Sequence, residues 1–417
     1  MSASNGGTED VEIMDWEALS NLPDSLLGRA NLQADTEYTL SLTAEGFDQN
    51  HDFQVFVTRP DFAKMILQAD VATHIDYYFT FREFNDMDGA IQGYRKITGV
   101  APLYNLKVYG FWQCREHYGT QVELLNASSQ YRERNIPIDW IVQEWKYWPA
   151  HNSTETQEMW GPHWSSDTYP DPEKMVETLH NQNVNLMVSV WSKFGTSTEF
   201  YNQMRSQNFL LGNSTYYDPW NPSARAEFYS YSKKSMFDIG VDALWLDATE
   251  PEGFPNANVT TYLGDGNAFF NTYSLMTTRA IADGLRDDFI DAQGARVFSL
   301  TRSSFAGQQR YGAALWSGDT SGNWDSLRRQ VSASLNFALS GLPYWSEDIG
   351  GFFRPNDQYT STDYRHLLIR WFQFGLFTPI YRVCTFTLSH NTHTLETRTN
   401  SNNYHTGSRG WFAYRDF

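Results

Sequence analysis

Val241-Asp242-Ala243-Leu244-Trp245-Leu246-Asp247-Ala248-Thr249-Glu250-Pro251-Glu252 holds the sharpest local contrast in the chain, an apolar run that ends in three acids. A parallel strand covered on both faces reads as such a run, and a carboxylate where it emerges is held rigidly at the rim of the sheet. Asp247 is therefore a candidate nucleophile or base. Standing alone, it would more simply cap a helix or close a turn. A second stretch repeats the plan: Tyr311-Gly312-Ala313-Ala314-Leu315-Trp316-Ser317-Gly318-Asp319 is a short apolar run, a Trp and then a carboxylate. Two acids at the mouths of different strands fit cleavage of a glycosidic bond, in which one attacks or shields the sugar carbon and the other protonates the departing oxygen. The Trp beside each acid agrees, because aromatic faces suit the C–H surfaces of sugars.

Working outward, the same unit recurs. Apolar runs at 108–112, 136–145, 184–191, 243–247, 297–301, 313–317, 342–346 and 377–383 alternate with helical patterns at 172–181, 224–237, 270–285, 325–339 and 363–372. Strand and helix in alternation imply a parallel sheet, and eight strands imply a closed (β/α)8 TIM barrel with its reacting groups at the carboxyl ends of the strands. Charged residues stand at the strand ends, within three residues of where each run stops: Arg115, Glu144, Lys193, Asp247, Arg302, Asp319, Asp348 and Arg382. Tyr109-Gly110-Phe111-Trp112 has no glycine-rich phosphate turn, which disfavours a nucleotide-binding open sheet. Residues 101–384 are assigned to the barrel. The barrel is expected to lack its last helix, because the chain stops at Phe417 soon after the eighth run. Ahead of it, 75–100 reads as a strand at 75–81 and a helix at 87–98 stopped by Gly99. Residues 1–74 form a partial β-rich segment, with strands at 38–43 and 53–57 about a turn at 46–51. A polar tail occupies 385–417, and its His390, His393 and His405 are spaced as a solvated loop, with no metal site implied.

Composition narrows the partners. Of the 417 residues 16% are aromatic and 15 are Trp, more than core packing ordinarily uses, which favours a carbohydrate-facing protein. A formal net charge of −18 repels nucleic acid and anionic membranes. No run is long enough to span a bilayer, and no signal peptide is evident. Two cysteines, Cys114 and Cys384, are too few for a disulfide framework and leave a single bridge undecided. Four sequons, at Asn126, Asn152, Asn213 and Asn258, point to a secreted glycoprotein. Oligomeric state is not legible.

Leu244-Trp245-Leu246-Asp247-Ala248-Thr249-Glu250-Pro251 resembles the nucleophile signature of glycoside hydrolase family 31, in its α-xylosidase branch. Gly110-Phe111-Trp112-Gln113 is similar to that family's first barrel strand, and Ile136-Pro137-Ile138-Asp139-Trp140-Ile141-Val142-Gln143-Glu144-Trp145 to its second. Thr301-Arg302-Ser303-Ser304-Phe305-Ala306-Gly307, Trp316-Ser317-Gly318-Asp319 and Gly341-Leu342-Pro343-Tyr344-Trp345-Ser346-Glu347-Asp348-Ile349-Gly350-Gly351 resemble the fifth, sixth and seventh exits. Residues 1–74 resemble the remnant of an inserted protective-antigen-type β-sandwich module.

The resemblance implies a retaining α-glycosidase with Asp247 as nucleophile and Asp319 as general acid/base. It implies that Glu144, Trp191, Lys193, Trp245, Glu250, Arg302, Trp316, Trp345 and Asp348 surround the sugar. It also implies an oligosaccharide substrate ending in α-linked xylose and no cofactor or metal; α-glucosidase, α-galactosidase and an inactive sugar-binding barrel are the alternatives. Trp145, Tyr147 and Trp148 are candidates to fill the space of a C6 hydroxymethyl. Two positions depart from the family pattern: Glu144 stands where an Asp is usual, and Cys384 where a His is usual.

Overall fold

A computed structural model of the chain describes residues 87–149, 159–252, 254, 258–290 and 296–384, with five short strands among the first 69. It falls into two units, Met1–Phe79 and Thr80–Phe417. In the first, Ser2–Ser4 pairs antiparallel with both Asp10–Glu12 and Thr39–Ser41, while Phe53–Thr58 pairs with Lys64–Ala69. The two strands expected about the turn at 46–51 thus pair elsewhere. For 53–58, the partner that follows closes a shorter loop than the strand before it. The strand expected at 75–81, the polar tail and the eighth helix position lie outside the described residues. The helix Met87–Thr98 forms as expected.

The second unit contains eight parallel strands: β1 (Phe111–Arg115), β2 (Trp140–Gln143), β3 (Asn185–Trp191), β4 (Ala243–Asp247), β5 (Ser299–Thr301), β6 (Ala313–Trp316), β7 (Trp345–Ser346) and β8 (Tyr381–Val383). Their order is β7-β6-β5-β4-β3-β2-β1-β8, and a parallel bridge between Ser346 and Ile380 brings the two ends of the sheet together. The first strand starts later than its apolar run, because Leu106–Tyr109 is a 3₁₀ turn capped by the Asn105 side chain. Among the described residues, helices that cover the outside include α1 (Gln121–Glu133), α2 (Pro172–Asn181), α3 (Pro222–Ser235), α4 (Tyr273–Leu285), α5 (Trp324–Leu339) and α6 (Thr362–Gly375). Thr120, Asp171, Asn221, Asn323 and Ser361 cap α1, α2, α3, α5 and α6 by accepting from backbone N–H groups of the first turn. Each satisfies a donor that no carbonyl of the helix can reach.

Side chains alternate across each strand. Trp112, Trp140, Met187, Trp245, Leu300, Ala314 and Trp316 point into the lumen and pack together, whereas Ile141, Leu186, Val188, Leu244 and Leu246 meet the helices. Trp112 stacks on Trp140 with centroids 4.6 Å apart, so the lower barrel is a solid aromatic plug. Much of the tryptophan that composition assigns to sugar is thus spent on packing. Cys114 and Cys384, one residue beyond the pair Gln113↔Val383, form a disulfide between β1 and β8, with Cα atoms 4.3 Å apart.

The loops leaving β6 and β7 are tied by backbone. Gly322 N donates to Phe353 O (2.8 Å), Phe353 N to Thr320 O (3.0 Å) and Gly351 N to Asp348 O (2.7 Å). Gly351 has φ +83°, and a Cβ there would sit 2.3 Å from Gly322 N. Both facts exclude any larger residue. Gly351→Ala is expected to cost about 2–4 kcal/mol in urea denaturation, and to loosen Asp319 and Asp348 together.

Candidate active site

Period-two alternation carries the inward face up to the barrel mouth. One or two residues past each strand it presents Glu144, Arg302, Asp348 and Cys384, and at the ends of β3 and β4 it presents Trp191 and Asp247. Trp191 and Asp247 are direct partners in the β3–β4 ladder. Thr301 pairs with Leu246, so the following Arg302 stands beside Asp247. Its Nη1 lies 3.6 Å from Asp247 Oδ1.

Asp247 is 5% exposed and accepts the Ala248 N–H at 2.6 Å. Ala248 holds a left-handed φ of +55° directly after it. Burial raises the Asp247 carboxyl to about 6, although Arg302 and the Ala248 amide pull it down. Asp319, three residues past β6, is open to solvent. Crowding by protein, then the charges of Asp348 and Asp247, raise it to about 7. The acid expected to ionise first therefore has the lower value.

Arg302 is bidentate to Glu250, with Nε and Nη2 each 2.9 Å from a carboxylate oxygen, and Nη2 also meets Glu252. Burial works against its charge, but Asp247, Glu250 and Glu252 reverse that and hold it firmly cationic. Its guanidinium lies over the Trp316 ring at 5.6 Å. Its donors are spent on neutralising acids. Glu250 is accordingly its partner.

Glu144 is 7% exposed, and its carboxyl is raised well above the usual range by burial and by Asp247, Asp319 and Asp348. Asp348 is buried, with Arg382 Nη2 at 2.6 Å from Oδ1; burial raises it and Arg382 opposes that. Trp245 and Trp316 meet edge-to-face at 4.8 Å in the lumen. Trp191 packs on Trp160 at 4.6 Å, and Lys193 Nζ sits over the same Trp160 ring at 4.6 Å, its pKa lowered by burial.

Trp345 is a correction. It shares the outer face with its ladder neighbour Leu315 and packs on Phe337 of α5 at 4.8 Å, behind the wall and away from the mouth. The short apolar run of β7 hides the face on which its Trp falls. Tyr147 is likewise buried, donating to Ser189 O at 2.8 Å, whereas Trp148 is half-buried, packs against the outer core and meets Trp160 at 5.8 Å. Arg382, noted only as a strand-end charge, belongs to the site: it is wholly buried, its Nε donates to Ser346 Oγ at 3.2 Å, and it lies 4.9 Å over Trp245. Its own signal was a cation directly after an apolar run, with Asp348 standing in the same way. Among the described residues Cys114, Glu144 and Cys384 bring ligand atoms within 4.8 Å of one another, but the disulfide uses both sulfurs and leaves no thiolate for a metal. No described helix is long and apolar enough to cross a membrane.

Residues 101–402 match the family described as "Glycosyl hydrolases family 31 TIM-barrel domain". An alpha-xylosidase of Saccharolobus solfataricus is 39% identical over 328 residues, covering 77% of this chain and 43% of that protein. The crystal structure of a GH31 alpha-xylosidase from Xanthomonas citri superposes with a TM-score of 0.66 at 34% identity, over 72% of this chain and 35% of that one. Neutral alpha-glucosidase AB of Homo sapiens is 27% identical over 317 residues, 69% of this chain and 31% of that protein. The chain spans less than half the length of each of these relatives. With most of its length inside the family match, and eight parallel strands delivering their charged exits to one mouth, the chain belongs to glycosyl hydrolase family 31.

Proposed function

We propose that this chain carries the catalytic barrel of a retaining α-glycosidase that releases terminal non-reducing α-linked xylose, with xyloglucan-type oligosaccharides as the substrate class. What supports the reading is the placement of the two acids: Asp247 ends β4 with Arg302 Nη1 3.6 Å away, and Asp319 lies past β6 near enough for the charge of Asp247 to help raise it to about 7, against about 6 for Asp247. Between those values the first is ionised while the second keeps its proton. Asp247 attacks the anomeric carbon as Asp319 gives its proton to the glycosidic oxygen, which leaves as an alcohol. Asp319, now a carboxylate, takes a proton from water, whose oxygen displaces Asp247 and frees the sugar with retained configuration. Likeness to two α-xylosidases, higher in identity than that to the glucosidase, favours xylose. Secretion is part of the proposal, supported by exposed sequon residues Asn126, Asn213 and Asn258.

Asp247→Ala is expected to lower turnover of an aryl α-xyloside at least about a thousandfold while leaving the circular-dichroism melt in place; retained activity ends the assignment. The wild-type pH profile of kcat/KM is expected to be a bell, falling below about 6 as Asp247 gains a proton and above about 7 as Asp319 loses one. Arg302→Gln removes the cation that holds Asp247 down, so its acid limb should move to higher pH. Side-by-side hydrolysis of aryl α-xyloside, α-glucoside and α-galactoside decides the sugar: a faster glucoside or galactoside replaces xylose in the proposal, and no hydrolysis of any leaves a sugar-binding barrel.

A further inference from the structure

The disulfide lies directly under the site. Cys114 is the ladder partner of Val142, two residues before Glu144, and Cys384 follows β8 immediately. Cys384 Sγ is 3.7 Å from Glu144 Oε2. A thiol at that distance donates weakly, whereas a bridged sulfur carries no hydrogen and only touches the carboxylate. Because both sulfurs are in the bridge, the contact is a touch. Among the described residues no N–H or O–H is recorded donating to Glu144, although it is more than nine-tenths buried and faces the mouth. A buried carboxylate without a donor is costly to keep, and sugar hydroxyls are the donors its position invites. Arg354 pins the backbone on the other side, its Nη2 donating to Cys384 O at 3.2 Å and Ile349 O at 3.1 Å. Cys384 therefore has little freedom to swing away as a whole.

We propose that the Cys114–Cys384 bridge is a redox-sensitive positioning element of the sugar site: closed, it leaves Glu144 free to accept sugar hydroxyls, and opened, it turns the Cys384 thiol onto that carboxylate. The proposal rests on the sugar-site reading of Glu144. Opening needs a dithiol. One of its thiolates attacks a bridge sulfur and expels the other cysteine as thiolate; the second thiolate of the reagent then closes its own ring disulfide. Two electrons and two protons end on Cys114 and Cys384. The freed sulfurs need van der Waals separation instead of a bond, and one of them already touches Glu144. The S–H then competes with the substrate for the same oxygen.

The full chain, purified without reductant, is compared with the same protein treated with dithiothreitol. Mass spectrometry of alkylated digests is expected to find a cross-linked Cys114–Cys384 peptide before treatment and two alkylated cysteines after it. Reduction is expected to weaken xylose binding, measured by titration calorimetry, about tenfold, the worth of one lost hydrogen bond. KM for an aryl α-xyloside should rise by the same factor, with kcat changed far less. Cys114→Ser should behave as the reduced protein with or without dithiothreitol. The Cys114→Ala/Cys384→Ala double variant has neither bridge nor thiol donor and should keep the tight binding, a result that a purely bracing role for the bridge cannot produce. Free thiols in the untreated protein, equal xylose affinity in both states, or weak binding by the double variant each overturn the proposal. Redox-dependent xylose binding without hydrolysis would remove the hydrolase reading and leave this one standing.

Discussion

Buried carboxylates repel one another and lack water to relieve the repulsion, so the barrel mouth is held by where its two arginines stand. Arg302 gathers Asp247, Glu250 and Glu252 on one side. Arg382 holds Asp348 on the other and lies over Trp245. Removing either cation would leave charges stranded in a dry site, the costly case for a buried ion pair. Asp247 and Asp319 also bear on stability. Their folded pKa values lie above those of free carboxyls, so the folded state binds more protons, and their contribution to stability falls as pH rises from about 4 toward about 7. The shifts that burial and neighbouring charge impose on these acids thus work against the fold near neutrality.

The rest of the barrel supplies rigidity to offset this. Its lumen is filled by Trp112, Trp140, Trp245 and Trp316, in contact with one another or with Phe298. Side chains of this size leave few ways to rearrange. Asp247 therefore rises from a floor that does not give. Asp319 has no strand under it, and its position depends on the backbone ties that join its loop to that of Asp348. The two acids are fixed by different means: Asp247 by packing, Asp319 by hydrogen bonds between two loops whose closest approach is at Gly322 and Gly351.

The join between β8 and β1 is where the chain departs most from its family's pattern. Cys384 occupies a position where the family resemblance expects a histidine, and Glu144 one where it expects an aspartate. The structure shows the two substitutions in contact. A longer acid reaches one methylene further, and the position of the usual histidine is taken by a sulfur bonded to the neighbouring strand β1. Read singly, each change looks like the loss of a sugar contact. In the folded chain they are neighbours, and the carboxylate keeps an oxygen without a protein donor.

Much of this was legible in the residues. The apolar runs ending in charge marked all eight strands and placed Asp247, Asp319, Arg302 and Asp348 at exits, because parallel strands buried on both faces leave polar chemistry nowhere else to stand. Helices were equally legible where a cap preceded an amphipathic run, as at Asp171 and Ser361. Three things needed the tertiary structure. Trp345 turned outward, since a two-residue strand carries too little alternation to reveal its face. Arg302 took Glu250 as its partner, because the loop after β4 folds back over a neighbouring strand. Cys114 met Cys384 across 270 residues. Local sequence determines which residues leave a strand and in what order, through periodicity and capping. Which of them touch is decided only when the sheet closes, because closure sets the register between its first and last strands.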